Sequence, residues 1–299
     1  MTPDNTAISK VLGKTVSAPT QYDSSILVRE PRQSNRTYLN IKDENLPFKG
    51  IDLWNNWEIS ALTDIGLPVT GIAKITYNCN SKYIVESKSA KLYFNSFNMT
   101  RIGDTPEDVT KNIESLASRD LSLFLETEVT VNIRPANSFC PLQREDQYHS
   151  NSILLDHLIK NIVIEKYTET PELLSYSSIQ TENVSQKYFS TLLRSNCRVT
   201  NQPDAGDVYI YINSKVVVDP TSLLKYIVSF RGENHFHEEI CEAIYTRLNN
   251  TYTPTELLVA CYYVRRGSLD INPVRASHDY LIPADFKNPS LPYIKTPRQ

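Results

Sequence analysis

The chain has 299 residues, of which 40% are hydrophobic and 22% charged, with a net charge of −3. Those proportions are ordinary for a soluble globular protein of one or two domains, and the charge gives no electrostatic footprint for direct nucleic-acid binding. No apolar run approaches the ~18 residues a membrane span needs, and the first ten residues lack a basic-then-apolar secretion signal. Five cysteines (79, 140, 197, 241 and 261) are odd in number and scattered, without a C-x-x-C. This argues against a disulfide framework or zinc ribbon and points to a reducing cytoplasm. No G-x-G-x-x-G or Walker sequence occurs, so a nucleotide cofactor, if used, is not held by a Rossmann or P-loop turn.

Residues 1–45 are polar with few periodic apolar positions and read as an arm or surface extension. Within residues 47–68, Leu53, Trp54, Trp57, Ile59, Leu62 and Ile65 recur partly at helical spacing. That predicts an amphipathic segment packing on a sheet, its tryptophans core or interface anchors rather than ligand contacts. From Gly71 the pattern turns to strand. A helix then starts with Thr105 as cap, Pro106 in the first turn and Glu107 and Asp108 at the positive end of its dipole. Residues 129–133 alternate as a strand, and 135–185 read as a connection with some strand content. In R-S-N-C-R-V-T-N-Q-P-D-A-G-D (194–207), β-branched and hydrophobic residues precede and surround Cys197, and residues 201–206 have turn composition. Cys197 is therefore expected near a strand end, with Asp204 on the loop after it. Residues 207–218 alternate as a strand, Pro220 opens a helix, 235–248 form a second helix, and 255–264 a last strand leading into R-R-G-S-L-D-I-N-P-V-R (265–275).

The second half repeats the first. Shifted by 133 positions, residues 80–97 fall on 213–230 with eight identities in eighteen, among them Ser89/Ser222, Tyr93/Tyr226, Ser96/Ser229 and Phe97/Phe230. Chance gives about one. Glu86 falls on Asp219. Two copies of a strand–strand–helix–helix–strand unit is the economical reading, with residues 1–150 holding an extension and the first copy and 151–299 the second.

Four constellations point to chemistry. Cys197 and Asp204 suit a thiol nucleophile with a nearby proton donor, the alternative being a buried structural cysteine beside a turn acid. E-S-K-S-A-K (86–91) places an acid, hydroxyls and lysines at a strand-to-helix junction, where free N–H groups favour an anion. In H-F-H-E-E (235–239), His235 and His237 lack a third metal ligand at convincing spacing, so His237 and Glu238 are better read as proton donor and hydrogen-bond acceptor, with no metal site expected. Three arginines around Gly267 suit a phosphorylated cofactor, since arginine binds phosphate bidentately.

In this order the motifs resemble the long, two-repeat form of the QueF family, NADPH-dependent 7-cyano-7-deazaguanine reductases of queuosine biosynthesis. The resemblance runs from L-P-F-K-G-I-D-L-W-N-N-W-E to the C-terminal end and rests on E-S-K-S-A-K-L-Y-F-N-S-F, S-N-C-R-V-T-N-Q-P-D, S-F-R-G-E-N-H-F-H-E and R-R-G-S-L-D-I-N-P-V-R. Ala205 departs from the common tryptophan, and Ser268 from a second glycine. The resemblance implies an α+β class of tandem tunnelling folds (T-folds), with antiparallel sheets and paired helices, assembled as a homodimer. It implies Cys197 as the nucleophile that forms a thioimide with the nitrile, and Asp204 and His237 as catalytic partners. Val85, Glu86, Ser87, His237 and Glu238 are then the contacts to a small deazapurine substrate, and Ser87, Lys88, Arg266 and Gly267 those to NADPH. Another T-fold pterin or deazapurine enzyme, such as a zinc cyclohydrolase, and a non-catalytic purine-binding protein are the alternatives.

Overall fold

Eight strands in one sheet organise the chain. The computed structural model describes residues 19–136, 142–143, 152–291, 294–296 and 298–299; the first ten residues and Cys140, both used above, lie outside them. In chain order the elements are β1 (Arg29–Pro31), α1 (Gln33–Tyr38), β2 (Lys49–Leu62), β3 (Pro68–Asn78), β4 (Tyr83–Val85), α2 (Ser87–Asn95), α3 (Pro106–Leu125) and β5 (Val129–Pro135). There follow β6 (Leu142–Gln143), β7 (Ile153–Leu154), β8 (Tyr176–Asn196), β9 (Pro203–Val218), α4 (Pro220–Ser229), α5 (His237–Tyr252), β10 (Glu256–Tyr263), β11 (Leu269–Ala276), α6 (Ala284–Lys287) and β12 (Ile294–Lys295). The large sheet runs β5-β3-β2-β11-β10-β9-β8-β7 and is antiparallel except for the short β7–β8 pair. The fold is α+β.

Helices α2 and α3 cover β2, β3 and β5 around Trp54, Ile75, Phe94, Ile113 and Leu121. Helices α4 and α5 cover β8–β10 around Ile210, Leu223, Ile244 and Val259. The opposite sheet face carries Leu53, Phe189, Tyr209, Tyr262 and Phe286. Helix α3 starts as read: the Thr105 side chain and Asp108 form a reciprocal capping box, with Pro106 in the first turn.

Several expectations are corrected. Residues 47–68 contain a strand, not a helically spaced segment lying on the sheet. Central in the sheet, β2 is buried on both faces, with Leu53 in one cluster and Trp54 in another, and an irregularity between Asn56 and Ile59 shifts its register. Both features erase the alternation by which a strand is recognised. Residues 19–45 are not a surface extension: Leu27, Arg32, Asn35, Arg36, Leu39 and Ile41 are buried. The arginines are tolerated inside because acids wait for them, as Asp52 takes Arg32 and Glu242 takes Arg36. Asp204 belongs to strand β9, opposite Ser195 of β8; the turn is confined to residues 197–202. Helix α5 begins at His237, so His235 precedes it, and residues 176–185 belong to β8.

Candidate active site

One cavity of about 290 Å³ opens where the two helix layers meet the sheet. Its wall includes Val85, Ser87, Lys88 and Lys91 from the first half and Cys197, Asp204, His237, Glu238, Arg266 and Gly267 from the second. The sequence could not show that these groups meet within one chain; they do.

Cys197 opens the turn that follows β8. Its N–H donates to the Gln202 carbonyl at 2.8 Å and its carbonyl accepts from Asn201 N–H at 2.9 Å, closing a tight loop that holds the thiol at the cavity. Cys79, Cys241 and Cys261 are buried, so Cys197 is the one partly exposed cysteine among the described residues. The Lys88 Nζ lies 3.7 Å from its Sγ, an ammonium placed to stabilise a sulfur anion.

Asp204 is 5% exposed. His237 Nε2 lies 3.4 Å from its Oδ2, and the Arg266 guanidinium holds Oδ1 while also reaching Gln202 and the Pro203 carbonyl. Burial pushes the Asp204 carboxyl up, but the hydrogen bond and charge of His237, with Arg266, outweigh it and hold Asp204 below the usual carboxylate range. The His237 ring stacks on Tyr263, with centroids 3.7 Å apart and planes 8° from parallel, which fixes its orientation. His237 Nδ1 is buried without a partner.

Glu238, 1% exposed, lines the cavity. Burial pushes its carboxyl up to about 7, the Asp52 charge adds to the rise, and Arg32 and His237 oppose it. Glu86 has another place. It caps α2, its two oxygens accepting from the N–H groups of Lys88 at 2.9 Å and Ser89 at 2.7 Å, and its neighbours Val85 and Ser87, not Glu86, line the cavity. His235 stands outside α5 between two acids, 3.4 Å from Glu233 and 3.2 Å from Glu239. No group of three or more histidines, cysteines or acids among the described residues is arranged to hold a metal ion.

The arginines of residues 265–275 part company. Arg265 lies over the Trp57 ring at 3.9 Å, Arg266 enters the cavity, and Arg275 is fully buried on Asp52 and Glu242. Sequence reasoning missed Trp54, Gln202 and Phe236 in the cavity wall. Lys91 was named among the lysines of E-S-K-S-A-K, and it follows Lys88 by three positions on one helix and so shares its face. Trp54 carried no such signal.

The cationic wall suits a polyanionic cofactor. Lys88, Lys91 and Arg266 line it beside Gly267, whose φ is +54° and whose missing Cβ leaves room for the Lys91 ammonium, 3.0 Å from where that carbon would stand. This is a donor set for phosphate built without a Rossmann turn.

A reactive thiol, a buried Asp–His pair and a basic wall in an α+β chain define a class: an oxidoreductase site that works through a covalent thiol adduct. Comparison with known proteins gives the family. Residues 18–133 match the family described as "Nitrile reductase, 7-cyano-7-deazaguanine-reductase N-term" and residues 203–280 the one described as "QueF-like protein". Proteins named NADPH-dependent 7-cyano-7-deazaguanine reductase are similar throughout. That of Colwellia psychrerythraea is 39% identical over 276 residues, 91% of this chain and 93% of its own. That of Dechloromonas aromatica is 40% identical over 272 residues, 91% and 92% of the two chains. A crystal structure of the archaeosine synthase QueF-Like in the apo form aligns with a TM-score of 0.29 and 17% identity, covering 35% of this chain and 99% of that one. The chain belongs to the QueF family of NADPH-dependent 7-cyano-7-deazaguanine reductases.

Proposed function

We propose that the chain is an NADPH-dependent nitrile oxidoreductase that reduces 7-cyano-7-deazaguanine to 7-aminomethyl-7-deazaguanine in queuosine biosynthesis. The observation that carries this reading is the convergence of Cys197, the Asp204–His237 pair and three basic side chains on one cavity.

The chemistry follows from the side chains. The Cys197 sulfur adds to the nitrile carbon, forming a C–S bond, while the nitrile nitrogen takes a proton and a thioimide results. Lys88 stabilises the sulfur anion before addition and again when the C–S bond breaks. Because Asp204 is held ionised, the proton delivered to nitrogen resides on the His237–Asp204 pair, which acts as a unit rather than as a lone carboxylic acid. When bound, NADPH supplies a hydride for each of the two two-electron reductions. Ser87, Lys88, Arg266 and Gly267 hold it, with Lys91 as a further phosphate partner. Val85, Ser87, His237 and Glu238 line the deazapurine site. Glu86, between the wall residues Val85 and Ser87, is the further carboxylate acceptor for the ring's N–H edge.

The tandem T-fold with halves at 1–150 and 151–299 is supported by what the repeated residues do. Glu86 and Asp219 each cap the helix that follows. The hydroxyls of Ser96 and Ser229 donate to the carbonyls of Tyr93 and Tyr226 at 2.6 and 2.7 Å, and each tyrosine meets its phenylalanine, Phe97 or Phe230, edge to face. A homodimer pairing sheet edges fits such units, and a nucleophilic thiol fits a reducing cytoplasm.

The test is intact-mass spectrometry after incubation with 7-cyano-7-deazaguanine. The protein gains the mass of the nitrile, and with NADPH present two cofactor equivalents are oxidised per amine formed. An adduct persisting in Cys197→Ala, or no NADPH oxidation, sinks the assignment.

A further inference from the structure

Two carboxylates of the cavity are served differently. Asp204 is met by a guanidinium and an imidazole. Glu238 is met by neutral donors on a single oxygen: the Trp54 indole N–H donates to its Oε1 at 3.2 Å, and the Tyr77 hydroxyl to the same oxygen at 3.5 Å. Those donors stand on the adjacent strands β2 and β3, both 2–3% exposed, and reach across to a residue of α5 more than 160 positions away. The arginine nearest this group, Arg32, is committed to Asp52. Among the described residues no cation forms a salt bridge to Glu238; Arg32 and His237 act on it through their charge alone, so a ligand on the cavity wall can be met by its second oxygen.

We infer that Trp54 and Tyr77 are positioning residues for substrate recognition: together they pin one oxygen of Glu238, so that the other is presented to the N–H edge of the purine-like ring. The inference rests on the proposed substrate role of Glu238. Neutral donors suit the task, because they fix the rotamer without cancelling the charge that attracts the ligand's N–H groups. Trp54 also supplies cavity wall, so its ring and its N–H act on the same ligand. The groups facing Glu238 are Asp52 and Trp54 of β2, Tyr77 of β3, Arg32 ahead of α1, Tyr263 of β10 and His237 on its own helix. With the carboxyl pushed up to about 7, recognition is on the alkaline side of that value and fades as Glu238 takes up a proton.

The test uses 7-deazaguanine, which keeps the ring edge but has no nitrile, titrated calorimetrically from about pH 5.5 to about pH 8.5. Wild-type affinity should fall as pH drops through about 7. Near neutrality Trp54→Phe should bind about tenfold and Tyr77→Phe about threefold more weakly, the values for losing a near and a long donor to a charged acceptor. In both, the midpoint should move to higher pH, since the ionised form has lost a donor, and part of the weakening should persist at the alkaline end, where the carboxylate is charged but no longer pinned. An unmoved midpoint, or unchanged binding, overturns the inference. Glu238→Gln separates the layers: it should bind weakly and without the pH step. If it binds like the wild type, the substrate role of Glu238 falls and the inference with it. If it binds weakly while Trp54→Phe and Tyr77→Phe bind normally, the inference alone falls.

Discussion

Asp204 shows how a carboxyl in the cavity wall is tuned by its company. It is buried, which disfavours its charge, yet His237 and Arg266 hold it ionised. Asp204→Asn keeps the volume but removes the partner that orients His237, so NADPH oxidation should slow by about 10²–10⁴, read as single-turnover rate with Cys197 still alkylatable. His235 is tuned the other way. Burial lowers its basicity, but Glu233 and Glu239 outweigh this and raise it to about 9. A raised folded-state value stabilises the fold fully below the unfolded value of 6.5, and that stability is lost as pH rises through about 9. His235→Gln should therefore cost roughly 2–3 kcal/mol near pH 6, progressively less as pH rises from 6.5 towards about 9, and little beyond that, visible as a flattened profile of Tm against pH. Ser268 sits at φ +72°, a left-handed backbone that glycine adopts freely, so Ser268→Gly should stabilise by about 1 kcal/mol in denaturant unfolding. Ala205 is less consequential for Asp204 than its neighbourhood in sequence implies, since strand alternation turns it to the opposite face of the sheet. The motifs made Cys197, Asp204 and His237 readable from sequence because each sits in a locally distinctive pattern. Trp54 and Tyr77 were not readable, because their role depends on a partner in a distant helix.

At the scale of elements, the junction of β4 and α2 concentrates local and functional constraints. Glu86 satisfies two otherwise orphaned N–H groups at the start of α2, which frees Lys88 to extend towards Cys197. Glu86→Ala should cost about 1 kcal/mol of stability. Glu86→Gln retains an accepting oxygen, so its Tm should stay close to the wild type; a large loss of substrate affinity in that stable variant would show that the Glu86 charge itself acts on the ligand. Helices were the legible elements here. The capping box of α3 and the Pro220 start of α4 are short-range signals that need no tertiary context. Strand β2 was misread because its neighbours bury both of its faces, a condition set by β3 and β11 and invisible in the segment itself.

Across the whole molecule, a cluster of buried charges ties the parts together. Arg32 and Arg36 near the start of the described chain, Asp52 of β2, Glu242 of α5 and Arg275 of β11 are each no more than 3% exposed by side chain. For Asp52 and Glu242 burial pushes the carboxyls up, but the arginines prevail and hold both below the usual range. Groups held low stabilise the fold above their unfolded values and lose that contribution as pH falls, so unfolding should steepen below about pH 4. Arg275→Met, which takes one arginine from each of two buried acids, should cost about 3–5 kcal/mol by chemical denaturation. Composition foretold none of this, since a buried arginine looks like a surface one until its acids are placed. The sheet order has a consequence in time. Strand β11 lies between β10 and β2 and pairs Leu269 with Asn56, a partner made more than 200 residues earlier. At ribosomal rates that is a wait of roughly 10–40 s. The early hairpin must stay soluble through it with one edge unpaired, and the cavity does not exist until the last of these strands is synthesised.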